Sequence, residues 1–315
     1  IRFDLTLNNL KSTNSLIKNI KCSIETFYKI LEKSRPSLVL VQGDTTTAAG
    51  CAYAASLLGI TIAHNEAGLR TYDKKNPYPE ELNRKLISSV SDFHFAPTKL
   101  NKNNLIREGI DEKSIFVVGN PGIDSFFSFL RKKNSEAKKI INYANVNSKE
   151  IIFLTAHRRE SKGKNFIKWF ETLRIFFEKN KDLLLVCPEH PNKFASNAMK
   201  KNLFKLNNFY LTKPLSYTTA CQIISNSKFV ITDSGGIQEE CASLGIPVVV
   251  CRKVTERQEI LKLNIGKLTG FQSSKILKVL DWAKKKNNLK PWKHRPYGKG
   301  NSSIKIAKIL KDILN

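Results

Sequence analysis

Short apolar, β-branched runs alternate with stretches of helical periodicity along almost the whole chain. Residues 38–41, 60–63, 93–95, 115–118, 151–154, 183–186, 229–231 and 247–250 predict strands. Residues 14–33, 46–58, 98–108, 164–179 and 235–244 predict helices between them, and Ile304, Ile306, Ile309, Leu310 and Leu314 mark an apolar stripe on a last helix over 300–314. Strands this apolar are buried on both faces, and strand–helix alternation builds parallel sheets with helices on either side. The pattern predicts an α/β protein of doubly wound parallel sheets.

The alternation breaks once. Residues 131–150 are polar and rich in Lys and Asn, which predicts a linker between two Rossmann-like halves. A length of 315 residues suits two packed domains. The expected division is a first domain over 1–140, a second over 141–297, and a C-terminal helix over 298–315 that crosses back to the first. The only methionine is Met199, so Ile1 is not an initiator and the natural beginning is expected to lie upstream.

Charge changes the picture less than its size suggests. The formal net charge is +26, from 53 Lys and Arg against 27 Asp and Glu. Such an excess suits phosphate partners, yet the bases are spread along the chain and no nucleic-acid motif accompanies them. We read the excess as a bias toward Lys, Asn and Ile and expect no nucleic-acid partner. A hydrophobic content of 41% excludes a wholly disordered chain. No apolar run approaches a spanning helix, and nothing at the start resembles a signal peptide. The six cysteines include no C-x-x-C pair and are expected to be reduced core residues of a cytoplasmic protein.

The scarce acids are more informative, because they cluster in Gly- and Thr-rich segments that follow strands, where open α/β sheets bind ligands. Gly43-Asp44-Thr45-Thr46-Thr47 opens a helix, where Asp44 is either a cap or a functional acid. His64 to Thr71 carries Glu66 and Arg70. Pro79-Glu80-Glu81-Leu82-Asn83-Arg84 leads into a helix whose macrodipole favours acids in its first turn regardless of chemistry. Glu66, just past a buried strand, has less structural reason to be there, since an unpaired buried carboxylate is costly. Three carboxylates at one strand edge suit proton transfer on both faces of a sugar carbon.

In the second half, His157 and Arg158 follow one strand and His190 another. Either histidine taken alone is as readily structural, but a His–Arg pair at a strand end suits phosphate oxygens. Asp233-Ser234-Gly235-Gly236-Ile237-Gln238-Glu239-Glu240 links a strand to a helix. Its glycines admit an anion to the backbone N–H groups at the helix start, and Glu240 is placed to accept from ribose hydroxyls, although a plain Gly-rich turn is the alternative.

Taken together, GDTTT (43–47), EAGLRT (66–71), PEELNR (79–84), HRRES (157–161), TDSGGIQEE (232–240), TER (255–257) and PYGKG (296–300) resemble the non-hydrolysing UDP-N-acetylglucosamine 2-epimerases, in order and spacing across almost the whole chain. The resemblance implies a GT-B architecture, two Rossmann-like domains with the nucleotide sugar in a cleft between them. It implies an isomerase that interconverts UDP-N-acetylglucosamine and UDP-N-acetylmannosamine for surface polysaccharide synthesis, without cofactor or metal, acting as a homodimer. By motif match, Asp44, Glu66 and Glu80 are the acid/base set and His157 steadies UDP. Arg70, Arg158, His190, Ser234, Gly235, Gly236, Glu240 and Arg257 hold substrate or UDP.

Some positions depart from the family. Its first strand–loop–helix, with a G-T-R-P-E phosphate loop, has no counterpart here, and Asn65 stands where an apolar residue is usual. Alternatives on the same fold are a hydrolysing epimerase, which releases free N-acetylmannosamine, and a GT-B glycosyltransferase. A non-catalytic UDP-sugar binder is the alternative from another class.

Overall fold

The computed structural model describes residues 13–155, 164–189, 193–286 and 294–315. The chain separates into two compact units, Ile1–Asn120 with Ser303–Asn315, and Pro121–Ser302.

The first unit runs α1 (Thr13–Ser34), β1 (Leu38–Gln42), α2 (Thr46–Leu57), β2 (Thr61–Asn65), α3 (Glu80–Val90), β3 (Phe93–Ala96), α4 (Lys99–Arg107), a 3-10 turn (Glu112–Ser114) and β4 (Ile115–Val117). Its four strands are parallel, in the order β1-β2-β3-β4. Successive side chains leave a strand on opposite faces. Val39, Val41 and Ile62 therefore pack with Leu31 of α1 and Ala49, Ala52 and Ala55 of α2, while Ala63, Phe95 and Val118 meet Ile306 of the final helix. Each buried Val, Leu, Ile or Phe among these contributes about 1.5–3 kcal/mol of transfer free energy.

The second unit continues with α5 (Pro121–Leu130), α6 (Ser135–Val146), β5 (Glu150–Thr155), α7 (Lys164–Lys179), β6 (Leu183–Pro188), α8 (Lys193–Leu203), β7 (Phe209–Thr212), α9 (Tyr217–Ser225), β8 (Ser227–Thr232), α10 (Gly235–Leu244), β9 (Val248–Val250), α11 (Gln258–Lys262), β10 (Gly266–Leu268) and α12 (Ser273–Lys285), before the final helix α13 (Ser302–Leu314). All six strands are parallel, in the order β10-β9-β8-β5-β6-β7. Separate cores fill its two faces. One joins Trp169, Leu173 and Phe177 of α7 to Leu280 of α12. The other joins Phe126 of α5, Ile140 of α6 and Ile223 of α9. The sheet is doubly wound, and its order reverses direction between β5 and β8. That switch point is where such sheets bind ligands.

The stretch 131–150, expected as a linker, holds α6. Asn134 caps it by accepting from the Ala137 N–H at 2.8 Å, and only Ala137, Ile140 and Ala144 are buried. Three inward residues per helix are enough to dock it, and its outer face supplies the polar composition. Strands β7 and β10 were not expected; both are short and lie at the sheet edges. All six cysteines are free, four of them buried. Among the described residues, no helix is long and apolar enough to cross a membrane.

Candidate active site

In the first unit, chemistry collects at the carboxyl ends of β1 and β2. Gly43 leaves β1 with φ +72°, a left-handed conformation that glycine adopts without penalty. Its N–H donates to the Asn65 carbonyl at 3.0 Å, which extends the β1–β2 pairing past the strand end. Thr45, not Asp44, caps α2, its hydroxyl accepting from the Ala48 N–H at 3.1 Å. The capping alternative for Asp44 therefore falls. Its carboxylate accepts from Arg84 Nη2 at 2.5 Å, and its backbone carbonyl accepts from Asn83 Nδ2 at 2.9 Å.

Arg84 donates its other terminal nitrogen to Glu81 at 2.8 Å. Glu81 is buried and also accepts from the Thr71 and Tyr72 N–H groups. Of the adjacent acids at the start of α3, Glu81 is thus structural, tying the 66–72 loop to the helix. Glu80 differs: its Oε2 is buried and has no hydrogen-bond partner among the described residues.

Glu66 has φ +67°, a conformation that a residue with a side chain adopts at some cost. Its Oε2 accepts from Gln42 Nε2 at 2.8 Å, and a Cβ on Gly43 would lie 3.5 Å from the same oxygen. Asp44 and Glu66 thus follow the adjacent strands β1 and β2, and Glu80 opens α3 one turn before the Arg84 that pairs with Asp44.

Arg70, expected on the ligand, is tied into the fold by its own neighbours. It is buried, donates from Nε and Nη2 to Glu108 at 2.9 and 2.7 Å, and reaches Ser88 Oγ and the Leu69 carbonyl. A guanidinium committed to a carboxylate, a hydroxyl and a carbonyl positions the loop. Gly68 beside it has φ +83°, and a Cβ there would fall 2.2 Å from the Asn101 carbonyl oxygen. Two buried histidines flank this region as register partners on β2 and β3. His64 Nε2 donates to the Gly43 carbonyl at 2.8 Å. Burial pulls the His64 pKa down to about 3 and that of His94 down to about 4, with the Arg70 charge adding to both. Both imidazoles are neutral supports of the loops.

In the second unit, Thr155 and Thr232 close the carboxyl ends of β5 and β8, their hydroxyls 2.9 Å apart at the switch point. Ser234 caps α10 with its backbone only, accepting from the Gln238 N–H. A Cβ on Gly235 would lie 2.8 Å from Arg257 Cζ, so only glycine lets that guanidinium pack beneath the turn, whereas a Cβ on Gly236 would meet nothing within 4 Å. The start of α10 is consequently backed by Arg257 and open at Gly236, a geometry that admits an anion. Arg257 is itself committed to Glu239 at 2.8 Å and Glu256 at 2.5 Å.

Glu240 lies one turn into α10. Tyr217 donates to its Oε1 at 2.7 Å, while Oε2 is buried with no partner among the described residues. Burial raises the Glu240 pKa to about 7, against the lowering effect of the Tyr217 hydrogen bond. An acceptor kept dry and half-satisfied suits a ligand hydroxyl. His157, Arg158 and His190 lie outside the described residues. A cavity of about 480 Å³ lined by Lys149, Glu150, Lys228 and Lys286 lies at the opposite, amino-terminal edge of this sheet and includes none of these groups.

Sequence reading missed Gln42 and Tyr217. Gln42 is the last residue of β1, directly before the Gly43 turn, which is the one signal that could have marked it. Nothing in the local sequence marks Tyr217, whose partner is 23 residues away.

Residues 1–311 match a family model described as UDP-N-acetylglucosamine 2-epimerase. A Campylobacter jejuni UDP-N-acetylglucosamine 2-epimerase is 38% identical, over 98% of this chain and 84% of its own. The structure is similar to that of Neisseria meningitidis UDP-GlcNAc 2-epimerase bound to UDP-GlcNAc, with TM-score 0.87, 35% identity, and coverage of 99% of this chain and 86% of that one. It is also similar to the Methanocaldococcus jannaschii UDP-GlcNAc 2-epimerase in complex with UDP-GlcNAc and UDP, with TM-score 0.79, 33% identity, and coverage of 93% and 80%. The two parallel, helix-covered sheets have the α/β, GT-B-like fold of those enzymes. With a match over nearly its full length, this chain belongs to the UDP-N-acetylglucosamine 2-epimerase family.

Proposed function

We propose that the protein interconverts UDP-N-acetylglucosamine and UDP-N-acetylmannosamine. One carboxylate of the first unit removes the C2 proton. The electrons of that C–H bond form the C1=C2 double bond, and the C1–O bond breaks with its pair leaving on the β-phosphate oxygen of UDP. The resulting 2-acetamidoglucal is then attacked at C1 by the same UDP oxygen, and a second carboxylic acid protonates C2 on the other face. No net oxidation occurs, and each proton has a carboxylate to carry it.

The observation that carries this reading is the placement of Asp44 and Glu66 at the ends of two paired strands, with Glu80 one turn before the Arg84 that holds Asp44, although the chain is strongly basic. Two acids on opposite faces of C2 are what inversion there requires. The role assigned to the second unit is to hold UDP, with the diphosphate at the Ser234-Gly235-Gly236 turn, where helix N–H groups stabilise the leaving charge, and the ribose on Glu240. His157 and Arg158, which come just after β5 in the sequence, are assigned to the diphosphate, and His190 to the substrate. Arg257 acts through Gly235, by backing the turn.

Product analysis tests the proposal. Incubation with UDP-N-acetylglucosamine, followed by chromatography, is expected to give the nucleotide-linked epimer at equilibrium. Free N-acetylmannosamine with stoichiometric UDP would replace this reading with hydrolysis, and UDP binding without turnover would replace it with a carrier.

A further inference from the structure

We infer that Asn65 and Gln42 form a two-amide relay that positions Glu66 for proton transfer. Gln42 ends β1 and Asn65 ends β2, and the parallel register sets them directly opposite one another. Asn65 Nδ2 donates to Gln42 Oε1, and Gln42 Nε2 donates to Glu66 Oε2 at 2.8 Å.

The chemistry of the end group fixes the direction of the whole chain. An ionised carboxylate only accepts, so Gln42 must turn its NH2 toward Glu66 and its carbonyl toward Asn65. Asn65 must then present its own NH2. A glutamine alone at this position could rotate its amide and face Glu66 with an oxygen. Asn65 is buried, 4% exposed, at a position where an apolar residue would cost less, and its Nδ2 opposes that rotation by holding the Gln42 carbonyl on its own side. Glu66 follows the strand in a left-handed conformation beside Gly43, and Gln42 is one of the side chains that set where its carboxylate lies. Gln42 and Asn65 touch no reacting atom in this account. They are positioning residues, and the inference rests on the proposed role of Glu66.

Steady-state kinetics of Gln42→Leu, Asn65→Leu and the double variant test the relay, with unfolding midpoint and UDP affinity as controls. Gln42→Leu is expected to lower kcat about tenfold or more, the usual weight of a hydrogen bond to a charged group, with KM within about twofold. Asn65→Leu is expected to lower kcat less, and to have no further effect in the Gln42→Leu background, because its influence passes through that amide. Additive losses, or kcat unchanged in both single variants, would overturn the relay. Should Asn65→Leu not fold, Gln42→Glu at the exposed position 42 decides. The relay expects a kcat no higher than that of Gln42→Leu, and a wild-type kcat would refute it. A wild-type protein that forms no epimer overturns the epimerase reading and the relay together, whereas active wild-type with unaffected variants overturns the relay alone.

Discussion

Tyr217 donates its hydroxyl to Oε1 of Glu240 at 2.7 Å, while Oε2 of the same carboxylate is buried with no partner among the described residues. The pair couples α9 to the first turns of α10, beside the glycine turn that follows β8. Half of the carboxylate is held by the protein, and half is available to a ligand.

Glu240→Ala is therefore expected to weaken UDP by about 1–3 kcal/mol, the cost of leaving the partner hydroxyls of a buried acceptor unmet. Titration calorimetry reads the change directly, and an unchanged affinity would remove Glu240 from the ribose site.

The same residue predicts a pH dependence. Its pKa is raised from 4.5 to about 7, so the unliganded fold keeps a proton that the unfolded chain has lost. Stability contributed by that proton is present below 4.5 and is lost as pH rises toward 7. Ligand hydroxyls donate to the ionised form, so UDP binding expels the proton. Between pH 6 and 8, wild-type affinity for UDP should rise more than that of Glu240→Gln. Parallel profiles would contradict the assignment.

Glu66→Gln is expected to reduce epimerisation by about 10²–10⁴-fold, the usual contribution of a positioned acid or base. UDP affinity should stay within a few-fold, because the UDP-holding role is assigned to the second unit. A variant that turns over at the wild-type rate would show that this carboxylate carries no proton.

Arg70→Lys separates support from ligand contact. Lysine keeps the charge but loses the paired geometry on Glu108 together with the bonds to Ser88 and Leu69. Stability should fall by about 1–3 kcal/mol in urea melts while UDP affinity is unchanged. A large loss of UDP affinity with an unaltered midpoint would restore Arg70 to the ligand.

His64 and His94 predict acid sensitivity. Their pKa values lie near 3 and 4, below the ordinary 6.5, so the unfolded chain binds protons that the fold refuses. Stability from each is full above 6.5 and is lost as pH falls, with a slope of up to about 1.4 kcal/mol per pH unit. His94→Gln should flatten the decline between pH 6.5 and 5, and an identical decline would exclude the imidazole as its source.

Most of the fold was legible because buried parallel strands write themselves as unbroken apolar runs. Strands β7 and β10 escaped because short edge strands need little apolar sequence, and Gly266 dilutes the signal further. α6 read as a linker because it docks on only three buried residues. The acids of the site stood out against a basic chain, and their positions after strands told where to look. The division of labour among them did not. That Glu81 is a buried tie while Glu80 Oε2 has no partner among the described residues depends on which way the first turn of α3 faces. That Arg70 meets Glu108 depends on the packing of α4 against the loop. The Gln42–Asn65 contact depends on cross-strand register, which no local pattern encodes.

Proton NMR of UDP-N-acetylglucosamine incubated with the protein in deuterated water tests proton transfer at C2 most directly. Deuterium is expected at C2 of both epimers, entering at least as fast as the epimers interconvert. Interconversion that retains the original hydrogen at C2 would contradict it.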